Sequence, residues 1–257
     1  MEVDFGRTAA DYSRHRAGFP DRLFERLSAY DIGGPGQRIL DLGTGTGTLA
    51  RGFARRGATV TALDIAPEML AAGAELAAAE GLDVDFREGG AEATGLPDGA
   101  FDVVTAGQCW HWFDSAAAAA EAWRLLRPDG RIAICHFDWL PLPGNVVAAS
   151  EALIRRHNPA WTLDGRDGFH GFHAAALAIA GFLDIESFSF DSGVTYSHEA
   201  WRGRIRASAG VSGSLTPDEV AAFGAAHAAL LAAEFPDDPQ VVPHRCFALI
   251  ARRGAQC

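Results

Sequence analysis

An α/β fold built on a doubly wound, mostly parallel sheet is what this sequence predicts, on three observations. Arg38-Ile39-Leu40-Asp41-Leu42 is an apolar run that stops at Gly43-Thr44-Gly45-Thr46-Gly47-Thr48 and passes at once into helix-forming sequence, the strand, glycine turn and helix that open such sheets. Strand-like and Ala/Leu-rich helical runs then alternate along the chain as far as residue 136, which is the pattern of parallel strands joined by crossover helices. A second carboxylate, Asp64, closes the next strand-like run 23 residues after Asp41, the separation expected across one strand-helix-strand unit.

Pro20 opens a first helix whose apolar stripe is Leu23, Phe24 and Leu27, and Gly33-Gly34-Pro35-Gly36 breaks the chain before the first strand. Gly43, Gly45 and Gly47 lack the Cβ atoms that would hold a ligand off the backbone, so loop amides and the positive end of a helix over 49–56 are offered to it. The second strand covers 58–63. Helix 67–80 follows, then a third strand at Val84–Glu88, a turn at 95–99 and a fourth strand starting at Phe101. A helix over 116–126 ends at the turn Arg127-Pro128-Asp129-Gly130, which delivers the chain into a fifth strand, Arg131–His136. The remainder reads as a helical stretch containing Trp139, Trp161 and Phe169, a strand at Phe182–Phe190, a second insertion carrying Trp201, Arg204 and Arg206, and a closing strand at Cys246–Arg252.

At 257 residues one main core is expected rather than two large domains. The domain organisation anticipated is a single domain, 1–257, with a helical cap over 1–36 and helical insertions at about 139–180 and 193–236 forming a substrate lid. With 22 Lys and Arg against 33 Asp and Glu, the net charge is −11, which repels polyanions and argues against nucleic acid and anionic membranes as partners. Four widely spaced cysteines, Cys109, Cys135, Cys246 and Cys257, form neither a disulfide framework nor a zinc knuckle. With no leader-like segment and no apolar stretch of membrane-spanning length, a cytoplasmic protein is expected.

Two ligand classes use a glycine cradle of this kind. Gly45-Thr46-Gly47-Thr48-Leu49-Ala50 satisfies the loose dinucleotide pattern G-x-G-x-x-A. Asp41 weighs the other way, because a carboxylate two residues before the first glycine opposes a pyrophosphate and attracts a cation; alternatively it caps the helix through loop amides. Asp64 serves a ribose in either case, or caps the helix before Pro67.

Asp41-Leu42-Gly43-Thr44-Gly45-Thr46-Gly47, followed by Asp64, resembles the cofactor fingerprint of class I S-adenosylmethionine-dependent methyltransferases. Gln108-Cys109-Trp110-His111-Trp112-Phe113-Asp114 is similar to a segment in the small-molecule branch of that family, the type 11 and trans-aconitate-methyltransferase-like proteins, and the N-P-P-Y signature of amino-methylating nucleic-acid enzymes is missing. The resemblance implies a Rossmann-like seven-stranded sheet with an antiparallel last strand, S-adenosyl-L-methionine as cofactor and S-adenosyl-L-homocysteine as product. It implies a cofactor site made of Asp41, Gly43, Thr44, Gly45, Gly47, Asp64, Ile65, Met69, Ala91, Glu92 and Gln108. Tyr12 and Arg16, in a stretch similar to the family's R-P-G-Y-P, meet the methionyl carboxylate. Met69 rests under the adenine or fills the core. Asp102 is structural.

In this fold the strand order reverses between the first and fourth strands, so 108–114 falls beside the transferred methyl. Trp110, His111, Trp112 and His136 are therefore the expected acceptor-binding residues. The reaction is in-line displacement to a carboxylate, hydroxyl or activated carbon of a small molecule, and His111 is the candidate base where a proton must leave; packing between two tryptophans is its structural alternative. His136 and Asp138 alternate at the end of the fifth strand and with His111 resemble a metal cluster, and His170-Gly171-Phe172-His173 is a weaker candidate, but no metal is expected. The competing functions are an NAD-dependent oxidoreductase and a binding protein that keeps the cofactor and lacks chemistry.

Overall fold

β1 (Arg38–Leu42) is buried at every position after Arg38, because it lies in the middle of a sheet with parallel neighbours on both sides. β2 (Thr59–Asp64) pairs along one edge, with Asp41 opposite Ala62. β4 (Phe101–Gly107) pairs along the other, with Asp41 opposite Thr105. Ile39, Leu40 and Leu42 lose all contact with water, each contributing roughly 1.5–3 kcal/mol. The computed structural model describes residues 17–254, so the Tyr12 and Arg16 assignments lie outside the described residues.

Adding β3 (Val84–Glu88), β5 (Leu126–Trp139), β6 (Phe182–Tyr196) and β7 (Gln240–Arg253) completes a seven-stranded sheet in the order β3-β2-β1-β4-β5-β7-β6, with the direction turning antiparallel at the far edge. The chain works outward from β1 to β3, returns to β4, and continues the other way. The order reversal between β1 and β4 anticipated from the sequence is present.

The helices of the first half are α1 (Asp21–Ser28), α2 (Thr48–Ala54), α3 (Pro67–Ala79) and α4 (Ser115–Leu125). Asp114 starts α4 by accepting from the amides of Ala116 and Ala117, which satisfies two donors that the helix cannot. The expected free turn at 127–130 is instead part of β5. Its register against β4 slips between Phe101 and Val103, with Asp129 at φ 60°, so the strand begins at Leu126 and the extra residues bulge out.

The chain divides into two compact units. Unit 2 holds 18–137, 170–190 and 246–254 of the described residues, and its core joins Leu40, Leu42, Val104 and Ala106 to Trp110, Ala118, Leu125, Ile134, Leu177 and Phe247. Unit 1 gathers 138–169 and 191–245. Its helices are α5 (Val146–His157), α7 (His198–Arg206) and α8 (Pro217–Glu234), packed around Trp161, Trp201, Ile205 and Phe223. Thr216 and Glu219 form a capping box at the start of α8. Inside this unit Trp201 Nε1 donates to Ser150 Oγ (3.0 Å), Ser150 Oγ donates to the Val146 carbonyl (2.7 Å), and His227 Nε2 lies 3.0 Å from the same hydroxyl.

The unit boundary falls before His170, not near 180 as the sequence reading of the first insertion had it. Residues 170–180, with the short helix α6 (Ala174–Ile179), belong to unit 2, because Leu177 is buried among its core residues and α6 packs on α4. Among the described residues no helix is long and apolar enough to cross a membrane.

Candidate active site

The glycine loop turns sharply because Gly43, Gly45 and Gly47 all take positive φ, at 58°, 56° and 76°, where other residues are strained. Two of the three make room for protein, which refines the sequence reading. A Cβ on Gly43 would meet Cys109 Sγ at 2.8 Å and Phe113 Cζ at 2.9 Å, and one on Gly47 would meet Phe86 Cζ at 3.1 Å. Cys109 Sγ itself donates to the Leu42 carbonyl at 3.1 Å. The loop is thereby tied to the segment after β4 at the point where the strand order reverses.

Asp41 lies under this loop at 1 % exposure. Thr105 Oγ1, its register partner, donates to one carboxylate oxygen at 2.6 Å and Thr44 Oγ1 donates to the other at 2.6 Å. Burial raises its pKa to about 6; the two hydroxyls and the Ala50 amide pull it down, and the negative charge of Asp64 pushes it up again. A buried anion in this condition is stabilised by a cation and destabilised by a phosphate.

Asp64, at the end of β2, accepts from the Gly45 amide at 2.7 Å and from the Ala66 amide at 3.0 Å. Each carboxylate oxygen retains acceptor capacity beyond one bond, so Asp64 can fasten the loop and still receive ribose hydroxyls. Next to it, Ile65 is 74 % exposed, whereas Met69 is buried at 3 %. Ile65 is thus exposed apolar surface beside Asp64, while Met69 points into the interior. Ala91 is buried, and Glu92 Oε1 accepts from the Asp114 amide at 3.0 Å.

After β4 the backbone kinks at Gln108, a non-glycine residue at φ 65°. Its amide donates to the Cys135 carbonyl at 2.9 Å and its side chain donates to the Phe137 carbonyl. The strain is held by β5 on one side, a pattern that clusters at functional sites. A 3₁₀ turn follows over Trp110–Trp112 and sends its three side chains to different places. Trp110 is fully buried, in edge contact with Phe113. Trp112 is 42 % exposed, and His111 lies 4.8 Å from its ring.

Two of the four expected acceptor residues are buried. Trp110 offers no surface to an acceptor because the turn directs it into the core of unit 2. His136 is also buried, at 1 % exposure, with its ring stacked 3.5 Å from that of His170 and 5.7 Å from that of His173. His111 and Trp112 remain as the accessible pair. Asp102 lies at the other end of β4, where it accepts from the Arg38 amide at 2.7 Å and from Arg127 Nε at 2.6 Å. Sequence reasoning missed the meeting of His136 with His170 and His173, since nothing local joins residues 34 apart.

Residues 40–134 match the family model described as a methyltransferase domain. An uncharacterized methyltransferase of Mycobacterium tuberculosis is 38 % identical over 181 residues, covering 63 % of this chain and 71 % of that protein. Nocamycin O-methyltransferase of Saccharothrix syringae is 35 % identical over 206 residues, 73 % of this chain and 74 % of its own length. The solved structure of the YcgJ protein from Bacillus subtilis superposes with a TM-score of 0.59 at 18 % identity, covering 92 % of this chain and 100 % of that one, a likeness of fold. With the glycine loop, its buried carboxylate and the reversal at β1 and β4 in place, this chain belongs to the class I S-adenosylmethionine-dependent methyltransferases.

Proposed function

We propose that the enzyme delivers the methyl group to an oxygen of a small-molecule acceptor, with the donor over the Gly43–Gly47 loop and the acceptor beside His111 and Trp112. The observation that carries the donor placement is Asp41, a buried carboxylate pushed up to about 6 beneath the Gly43–Gly47 loop. That electrostatic setting favours a sulfonium and ammonium over a pyrophosphate, which also disfavours the NAD reading. Oxygen as the accepting atom draws on the O-methyltransferase among the relatives.

S-adenosylmethionine, when bound, supplies an electrophilic methyl group whose carbon–sulfur bond breaks to leave a neutral thioether. The chain's own residues position and deprotonate. Asp64 receives the ribose hydroxyls, Ile65 supplies the face for adenine, and Ala91 and Glu92 address its amino group. Gly45, Thr44 and Gln108 shape the methionyl path. His111 takes the proton of a hydroxyl acceptor as the oxygen–carbon bond forms, because an imidazole is poised near neutral pH. A carboxylate acceptor needs no such base. Cytoplasmic location accompanies this reading, from the reduced-thiol composition.

Calorimetry with S-adenosylhomocysteine and with NADH tests the donor. Binding of the first and not the second is expected, and Asp64→Ala weakens it about 10- to 100-fold. Uptake of NADH alone overturns the reading. For the acceptor, formation of S-adenosylhomocysteine is followed across phenols, enols and carboxylic acids. With a hydroxyl acceptor His111→Ala lowers kcat about 100-fold or more while S-adenosylhomocysteine affinity holds; unchanged kcat removes the base.

A further inference from the structure

His136 lies in the buried part of β5, His170 caps one turn of 3₁₀ helix, Gly171–His173, and His173 ends it. In a 3₁₀ turn residues three apart eclipse, so the pair His170-Gly171-Phe172-His173 presents two imidazoles on one side, and that side meets His136. All three are buried, at 1 %, 2 % and 4 % exposure, and one ring nitrogen from each lies within 4.8 Å of the others. All three belong to unit 2.

We propose that His136, His170 and His173 bind one divalent transition-metal ion of the zinc or cobalt class. Bonds of 2.0–2.1 Å to a tetrahedral ion set its ligand nitrogens about 3.3 Å apart, so nitrogens now within 4.8 Å of one another close on one ion once their rings reorient. Imidazole ligands select borderline ions such as Zn²⁺, Co²⁺, Ni²⁺ and Cu²⁺ over Mg²⁺ and Ca²⁺. A neutral imidazole carries one lone-pair nitrogen and one N–H, and three such rings gathered in the interior become a coherent group once the lone pairs share a cation. The stacked rings of His136 and His170 lie 8° from parallel. The His173 ring is also within 12° of parallel to both, so binding turns rings out of the stack until the three lone pairs converge. The turn bearing His170 has space around it, since a Cβ on Gly171 would meet nothing within 4 Å and Phe172 is 65 % exposed.

The site is separate from the glycine loop, and it stands whether or not the acceptor assignment does. His111 is its neighbour, 5.9 Å from the His136 ring, so an ion here fastens the 170–173 turn beside the segment that carries the proposed base.

The test uses untagged full-length protein stripped with a chelator and titrated with Co²⁺. The expected result is about one ion per chain with the intense visible bands of four-coordinate Co²⁺, displaced by Zn²⁺. His170→Gln and His173→Gln each weaken uptake at least about 100-fold, and His157→Asn, outside the cluster, leaves it unchanged. A pale six-coordinate spectrum, or uptake indifferent to both substitutions, overturns the proposal. Because a variant at the buried His136 can fail to fold, the wild-type measurement is paired with thermal unfolding. Zn²⁺ then raises the Tm of the wild type and not of His173→Gln; equal shifts in both also overturn it.

Discussion

Asp41 concentrates the donor chemistry in one side chain, and its titration should be visible. Its pKa is raised from 3.8 to about 6, so the folded chain holds a proton there that the unfolded chain has lost. Its contribution to stability is full below about 4 and is lost as pH rises through 6. The affinity for a cationic ligand runs in the opposite direction, growing as the carboxylate ionises. Between pH 5 and pH 7 the shift in melting temperature caused by S-adenosylmethionine should therefore increase, and Asp41→Asn should flatten that increase; a slope unchanged by the substitution would sink the assignment. Trp112 and Trp110 make a second contrast. Trp112→Ala should raise the acceptor KM with little loss of stability, whereas Trp110→Ala, at a fully buried site, should cost about 3–5 kcal/mol, read by denaturant unfolding.

The element with least freedom is the loop between β1 and α2. Gly43→Ala combines a positive φ with a Cβ placed 2.8 Å from Cys109 Sγ, so a loss of about 2 kcal/mol or more is expected. Gly81→Ala, also at positive φ but in open space, should lose about 1 kcal/mol. Equal losses would show that packing against Cys109 and Phe113 is irrelevant. A comparable anchor holds the loop before β4. Glu121 on α4 accepts from the Thr94 amide and hydroxyl and from Arg124, which also donates to the Leu96 carbonyl. These partners, Arg124 foremost, lower the Glu121 pKa to about 2. Its stabilisation is present above pH 4.5 and fades as pH falls toward 2, and Glu121→Gln should cost about 2 kcal/mol at neutral pH. Much of this level was legible in the sequence. The β1–glycine–α2 unit, Asp64 at the end of β2 and the extent of β3 follow from local periodicity and turn chemistry. What escaped is set by partners distant in sequence: the direction of Trp110 depends on a 3₁₀ turn with no periodic signature. β6 runs on to Tyr196, into the start of the stretch read as insertion, and β7 begins at Gln240, ahead of the strand read from Cys246, because their neighbours in the sheet continue beside them. The histidine cluster depends on α6 folding back on α4.

For the whole molecule, the two units should answer acid differently. His227 in unit 1 is buried, and desolvation chiefly lowers its pKa to about 4. Its folded form refuses a proton that the unfolded chain accepts, so unit 1 loses stability as pH falls from about 6.5 to 4, by about 3 kcal/mol. Asp41 gives unit 2 the reverse trend over much of the same window. Hydrogen exchange at pH 5 should thus accelerate in α5, α7 and α8 before it does in β1 and β4, and His227→Gln should remove the difference. Uniform acceleration would show that the units unfold as one. The sequence reads as a single domain with insertions at about 139–180 and 193–236, whereas residues 170–180 group with unit 2 through core contacts that their place in the chain does not reveal. Unit 2 supplies an unbroken run from residue 18 to residue 137 before unit 1 receives its first long segment. On the ribosome β1 to β4 are consequently all in hand early, and the nucleoside cradle has its full complement of parallel partners while the helices around Trp201 are still unmade.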